Sequence, residues 1–311
     1  MIAAAAMDQR GSLAKAIAAA RGVSPGAVTP PMMEEFKTAV AGVLSPHASA
    51  LLLDPEFGLP AAAARDPRCG LLLAYEASGY DNTRPGRLPD LIEGVSVRRL
   101  KDWGANGVKL LVYYNPFDEP RVNEIKQAFV ERVGAECAAE ELAFFLEFLG
   151  YDPAGGDGKS LDYSKAKPRI VAESMAEFSK PRYRVDVLKV EMPVNPRFVE
   201  GSRTFAGERI FSRAEARECF KRASDAAGRP FLYLSAGVDN EVFIEQLEMA
   251  AEAGAAFSGV LCGRATWKEG IPVYAKHGAQ ALREWLARDG AANIKRINAA
   301  LGAARPFWSF N

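Results

Sequence analysis

In the run Val185-Asp186-Val187-Leu188-Lys189-Val190-Glu191-Met192, an apolar β-branched pattern carries a lysine at its centre. A strand of that composition reads as buried on both faces. Desolvating an ammonium there is costly unless it is paired or deprotonated. Burial favours the free amine, which is the form that attacks a carbonyl carbon to make a Schiff base. The other uses of such a residue are snorkelling from an edge strand or a structural Lys–carboxylate pair. Two more apolar runs repeat the oddity, with Lys109 inside Val108-Lys109-Leu110-Leu111-Val112 and Glu147 inside Phe144-Phe145-Leu146-Glu147-Phe148-Leu149. A second cation beside a lysine also favours its free-amine form, a role open to Lys109 toward Lys189. Glu147 is then left for proton transfer. The competing reading is a Lys–Glu–Lys ion network that only holds strands in register.

These residues need elements to bring them together. Candidate strands run over Ala3–Asp8, Ala48–Asp54, Leu71–Glu76, Gly107–Tyr114, Leu142–Gly150, Val185–Met192, Pro230–Gly237 and Ser258–Arg264. Amphipathic segments lie between them, among them Met32–Val43, Val95–Trp103, Glu119–Glu136, Leu161–Ser179, Arg213–Ala227 and Glu241–Ala253. Eight such units in 311 residues predict a TIM (β/α)8 barrel of about 250 residues plus extensions. A doubly wound sheet is the second choice, but neither GxGxxG nor GxxxxGK[ST] is present. Nothing marks a domain boundary, so residues 1–311 read as one domain, with a helical and aromatic C-terminal extension from about residue 278. Gly79–Pro89 and Asp152–Ser160 have the composition of loops and follow the third and fifth strands, on the barrel face where active-site loops belong.

On such a barrel, inward residues near the strand ends line the site. Asp8, Asp54 and Glu76 end the first three candidate strands, and Ser235 and Arg264 close the last two. A lone strand-end Asp is more often a satisfied structural charge. Leu234-Ser235-Ala236-Gly237-Val238 and Leu261-Cys262-Gly263-Arg264-Ala265 each place a glycine where backbone N–H groups could meet an anion. The loops after strands seven and eight are a recurrent phosphate site, and Arg264 adds a bidentate partner. Arg84 and Arg87 in the third loop could reach a second phosphate, although arginines in loops are usually just solvated.

Composition narrows the partners. Lys+Arg and Asp+Glu are equal at 39 each, so no global field favours nucleic acid or an anionic membrane. The apolar runs are short and broken by charge, so no membrane span is expected. Met1–Ala6 is apolar, but Asp8-Gln9-Arg10 follows with no basic leader, which is not the pattern of a signal peptide. Four scattered cysteines without a CxxC pair suit reduced thiols in the cytoplasm. His47 and His277 are the only histidines and no HExxH occurs, so neither a metal nor a cofactor is expected. The aromatic segment Pro306-Phe307-Trp308-Ser309-Phe310 has two uses, packing on the protein's own surface or joining a second subunit as a homodimer.

The assembled pieces resemble the class I, metal-free tagatose 1,6-bisphosphate aldolase family of lactose and galactose catabolism. The matching motifs include Met7-Asp8-Gln9-Arg10-Gly11, Leu52-Leu53-Asp54-Pro55-Glu56-Phe57-Gly58-Leu59-Pro60, Leu72-Leu73-Ala74-Tyr75-Glu76 and Val108-Lys109-Leu110-Leu111-Val112-Tyr113-Tyr114. Phe145-Leu146-Glu147, Asp186-Val187-Leu188-Lys189-Val190-Glu191, Leu234-Ser235-Ala236-Gly237 and Gly259-Val260-Leu261-Cys262-Gly263-Arg264-Ala265-Thr266-Trp267 complete them. The resemblance implies a (β/α)8 lyase with the Schiff-base lysine at Lys189, the acid/base glutamate at Glu147 and a second active-site lysine at Lys109. It also implies substrate contacts from Asp8 and Gln9 and a phosphate site from Ser235, Gly263 and Arg264. Two rivals stay open. Sulfofructose 1-phosphate aldolases resemble the same family and share Leu-Lys-Val-Glu-Met-Pro, and a sugar-phosphate-binding regulator without turnover would keep the same pocket.

Overall fold

The computed structural model of the chain describes residues 1–79, 85–158 and 160–307. Arg84, with the centre of the third loop, and Trp308-Ser309-Phe310 lie outside the described residues. Eight parallel strands close into a barrel in sequence order: β1 (Ile2–Met7), β2 (Ala50–Leu53), β3 (Gly70–Ala74), β4 (Gly107–Tyr113), β5 (Ala143–Leu149), β6 (Val187–Val190), β7 (Phe231–Tyr233) and β8 (Gly259–Cys262). The helices are α1 (Gly11–Arg21), α2 (Pro30–Leu44), α3 (Leu59–Ala64), α4 (Val97–Asp102), α5 (Pro120–Ala139), α6 (Leu161–Phe178), α7 (Arg213–Asp225), α8 (Asn240–Glu252), α9 (Arg264–Trp267), α10 (Gly270–Trp285) and α11 (Ala291–Ala299). Each predicted strand is present, but most ladders stop short of the predicted end. Asp8, Asp54, Glu76, Ser235 and Arg264 lie one or two residues beyond them, where the apolar runs give way to polar residues.

Strand periodicity then sorts side chains into two layers. Outward residues such as Met7, Leu53, Leu73, Leu110 and Leu146 join the helices in one large core. Inward residues such as Ala6, Leu52, Leu72, Ala74, Phe145 and Leu232 fill the barrel. The same inward columns, read toward the C-terminal ends, run Ala4-Ala6-Asp8, Leu72-Ala74-Glu76, Phe145-Glu147 and Val187-Lys189. Apolar residues therefore plug the barrel floor and charged ones meet above them. The register sets Glu147 opposite Lys189 and places Lys109 between Ala74 and Phe145.

The C-terminal helices complete the outer ring. Gly278 adopts φ 79°, ψ −174° and breaks α10, and helix resumes to Trp285. Before the break, Tyr274 Oη donates to Glu35 at 2.8 Å, tying α10 to α2. The indole of Trp267 donates to the carbonyl of Ala6 at 3.0 Å. The four cysteines are buried and unpaired. Among the described residues no helix is long and apolar enough to cross a membrane.

One ion pair outside the barrel pins the ends of β1 and β2. Lys37 of α2 and Asp54 are both fully buried and bonded to each other. Lys37 also donates to the carbonyl of Met7 at 2.8 Å, and Asp54 accepts from the Phe57 N–H at 2.8 Å. Removing one partner strands a charge in the core. Asp54→Ala is expected to lower the unfolding free energy by about 3–5 kcal/mol in urea titration.

Candidate active site

A cavity of about 760 Å³ opens at the C-terminal ends of the strands, within the size range of sites for small ligands. Lys189 and Glu147 reach it from β6 and β5. Lys189 is 3% exposed, and its Nζ donates to Glu147 Oε2 at 2.8 Å. The same oxygen lies 2.9 Å from Lys109 Nζ. Lys109 also donates to Asp8 Oδ2 at 2.8 Å and to Glu76 Oε1 at 2.7 Å. The predicted trio of strand charges thus sits together, inside a larger set that includes Asp8 and Glu76.

The electrostatics follow from this crowding. Burial works to strip Lys109 of its proton, but Asp8, Glu147 and Glu76 together outweigh it and hold the ammonium well above the usual lysine range. Burial likewise pushes the Asp8 carboxyl up, yet Lys109, Lys189 and Lys37 drive it well below the usual carboxylate range. Glu76 goes the other way: burial raises its carboxyl and the nearby Asp8 adds to that, against the pull of Lys109 and Arg10. The sequence reading placed Lys109 as a second cation beside Lys189, and the structure surrounds that cation with acids. Its charge is met by three carboxylates, two of which sequence reasoning had not assigned to it.

Asp8 is turned to Lys109 and is not among the residues lining the cavity, whereas Gln9 is. Gln9 donates to Asp8 at 3.3 Å, and its buried Oε1 has no hydrogen-bond partner among the described residues. That atom is available to a donor on a ligand.

On the far wall, Ser235, Gly237, Gly263 and Arg264 line the cavity together. Gly237 has φ +80°, which disfavours any side chain, and a Cβ there would come within 2.7 Å of Arg264 Cζ. At Gly263 a Cβ would lie 2.8 Å from the carbonyl of Ala6. The two glycines are thus the space in which β1, β8 and the Arg264 guanidinium come together. Arg264 is exposed and opens α9, so a ligand anion can reach it.

Arg87 is not among the lining residues. It has φ +47°, and its guanidinium lies over the rings of Tyr113 and Tyr151 at 5.0 and 5.2 Å. The Tyr151 hydroxyl donates to Asp118 and lies 3.3 Å from the carbonyl of Gly86, so aromatic side chains from β4 and the end of β5 pack against this part of the third loop. Sequence reasoning missed Glu191, Lys167 and Tyr163, which line the cavity above Lys189. Glu191 accepts from the Gly150 N–H at 2.8 Å and pairs with Lys167 at 3.1 Å. Its place two residues beyond Lys189, on the same strand face, was the available signal. Neither histidine lines the cavity.

Comparison with known proteins fits this architecture. A family described as "DeoC/LacD family aldolase" matches residues 2–269. A tagatose 1,6-diphosphate aldolase 2 of Enterococcus faecalis is 51% identical over 309 residues, 99% of this chain and 91% of that protein. Tagatose 1,6-diphosphate aldolases of Listeria monocytogenes and Lactococcus lactis are 50% and 48% identical, each over 99% of this chain and 90% and 93% of theirs. Among solved structures, a fructose-bisphosphate aldolase from Plasmodium falciparum superposes with a TM-score of 0.69 at 14% identity, over 97% of this chain and 91% of the other, a likeness of fold. The chain belongs to the DeoC/LacD aldolase family.

Proposed function

We propose that this protein is a class I aldolase that forms a Schiff base on Lys189 and cleaves tagatose 1,6-bisphosphate to dihydroxyacetone phosphate and glyceraldehyde 3-phosphate. The observation that carries the chemistry is one of access. Of the five buried charges Asp8, Glu76, Lys109, Glu147 and Lys189, the two that line the cavity are a lysine and the carboxylate bonded to it. An amine and a proton acceptor 2.8 Å apart, at the floor of a cavity with an anion-binding wall, suit covalent attack on a phosphorylated ketone. The substrate follows from relatives about half identical over nearly the whole chain that carry that name.

In this reading Glu147 takes a proton from Lys189, and the amine attacks the C2 ketone. Glu147 returns protons as water leaves, giving an iminium that accepts electrons. The C4 hydroxyl then gives its proton to Glu147, and the C3–C4 bond breaks. Glyceraldehyde 3-phosphate departs, the enamine is reprotonated at C3, and hydrolysis frees dihydroxyacetone phosphate. Lys109 keeps the carboxylate oriented and the local charge balanced. Ser235, Gly237, Gly263 and Arg264 hold the C1 phosphate so that C2 rests against the amine, and Gln9 receives a substrate hydroxyl. The free, buried thiols support a cytoplasmic setting.

Borohydride reduction with dihydroxyacetone phosphate, followed by peptide mapping, is expected to mark Lys189, and an adduct confined to Lys109 would reverse the two lysines. Lys189→Met is expected to lower turnover by about three orders of magnitude or more while the circular dichroism spectrum stays unchanged. Gly237→Ala, which displaces the Arg264 guanidinium, is expected to raise KM about tenfold, the worth of one charge-assisted hydrogen bond. Steady-state kinetics on the bisphosphate checks this, and an unchanged KM would remove Arg264 from the phosphate site.

A further inference from the structure

We propose that Glu76 is a positioning residue that, acting through Lys109, decides which of two lysines serves as the nucleophile. The inference rests on the Schiff-base reading above and extends it to a residue with no part in that scheme.

The two lysines pose a problem of near symmetry. Glu147 Oε2 is 2.8 Å from Lys189 Nζ and 2.9 Å from Lys109 Nζ, so distance alone lets it accept a proton from either. Besides the access to the cavity that Lys189 has and Lys109 lacks, the two differ in the company each nitrogen keeps. Among the described residues, Lys189 has Glu147 as its one carboxylate within salt-bridge distance. Lys109 has three, namely Asp8, Glu76 and Glu147. The Lys109 ammonium donates to Asp8 and Glu76 and has Glu147 at ion-pair distance, so removing its proton would leave an excess of negative charge with no solvent to spread it. Lys109 stays charged, and the proton that Glu147 exchanges is that of Lys189.

Of the three carboxylates, Glu76 is the one free to be set aside for this task. Glu147 belongs to the proton transfers, and Asp8 also meets Gln9 at the cavity wall. Glu76 is 7% exposed and absent from the cavity lining. Its Oε2 accepts from the Leu111 N–H at 3.0 Å, which fixes the carboxylate against β4, and Arg10 donates to its carbonyl at 2.8 Å. The groups that face Lys109 are thus Asp8 beyond β1, Glu76 beyond β3, Glu147 on β5 and Lys189 on β6. Behind them stand the Lys37–Asp54 pair, Arg10 and, 3.6 Å from Arg10, Glu56. Lys109's elevated affinity for its proton agrees with this geometry.

The test compares Glu76→Gln with wild type in the pH profile of cleavage and in borohydride mapping. Glutamine removes the charge and keeps one of the two acceptor oxygens, so the bond from Lys109 or the bond from the Leu111 N–H is given up with it. The Lys109 ammonium is present below its pKa and lost above it, so a lowered pKa moves the alkaline fall in kcat to lower pH. The expected shift is about 1–3 pH units, the effect of removing one opposite charge at contact distance. Some borohydride adduct is also expected to move from Lys189 to Lys109. An alkaline limb and a Lys189-only adduct identical to wild type would overturn the proposal, whatever the variant loses in Tm. If Glu76→Gln does not fold, Glu76→Asp lengthens the contact and is expected to move the limb the same way by less; an unmoved limb is again a refutation. Absence of any adduct in wild type would instead refute the Schiff-base reading, and this inference with it.

Discussion

A single carboxylate oxygen, Glu147 Oε2, lies between two lysine nitrogens at 2.8 and 2.9 Å in the middle of a closed barrel. Opposite charges at that distance attract strongly in a medium of low polarity, and each is costly to leave alone there. The surrounding structure can be understood as the means of keeping this arrangement. The floor of the barrel is apolar and excludes water from below. Asp8 and Glu76 close the Lys109 side, and the opening left is on the Lys189 side, where the cavity begins.

The scaffold holds these groups from outside as well as from within. Lys37 and Asp54 lock α2 to the ends of β1 and β2, immediately before Asp8. Trp267 fixes the carbonyl of Ala6 from the opposite side, and Gly263 lets β8 approach that same carbonyl. The end of β1 is thus held by an ammonium, an indole and a close backbone contact. A positioned carboxylate at Asp8 requires such rigidity, because an error of an ångström would break its bond to Lys109.

The sequence makes the barrel legible because parallel strands covered on both faces are short apolar runs, and eight of them recur with helical segments between. It also makes Lys109, Glu147 and Lys189 legible, since a charge inside such a run is conspicuous. Their company is harder to read. Asp8 and Glu76 look like ordinary strand-end acids until closure of the ring brings β1, β3 and β4 around one nitrogen. Lys37 sits in an amphipathic helix where any lysine would pass as solvated, and its burial depends on Asp54 from another element. Arg87 resembles a ligand-seeking loop arginine, and its placement over Tyr113 and Tyr151 depends on aromatic rings 26 and 64 residues away in sequence.

The same cluster bears on how the chain reaches its folded state. Residues 8, 76, 109, 147 and 189 lie on or just past the ends of five different strands spread over more than half of the chain, and none can be desolvated safely without the others. A half-assembled barrel would hold acids or lysines in an apolar interior with partners missing, or keep that interior wet. Such partial structures are penalised on both counts. The charge cluster at the top of the barrel therefore disfavours partly assembled barrels relative to the closed one.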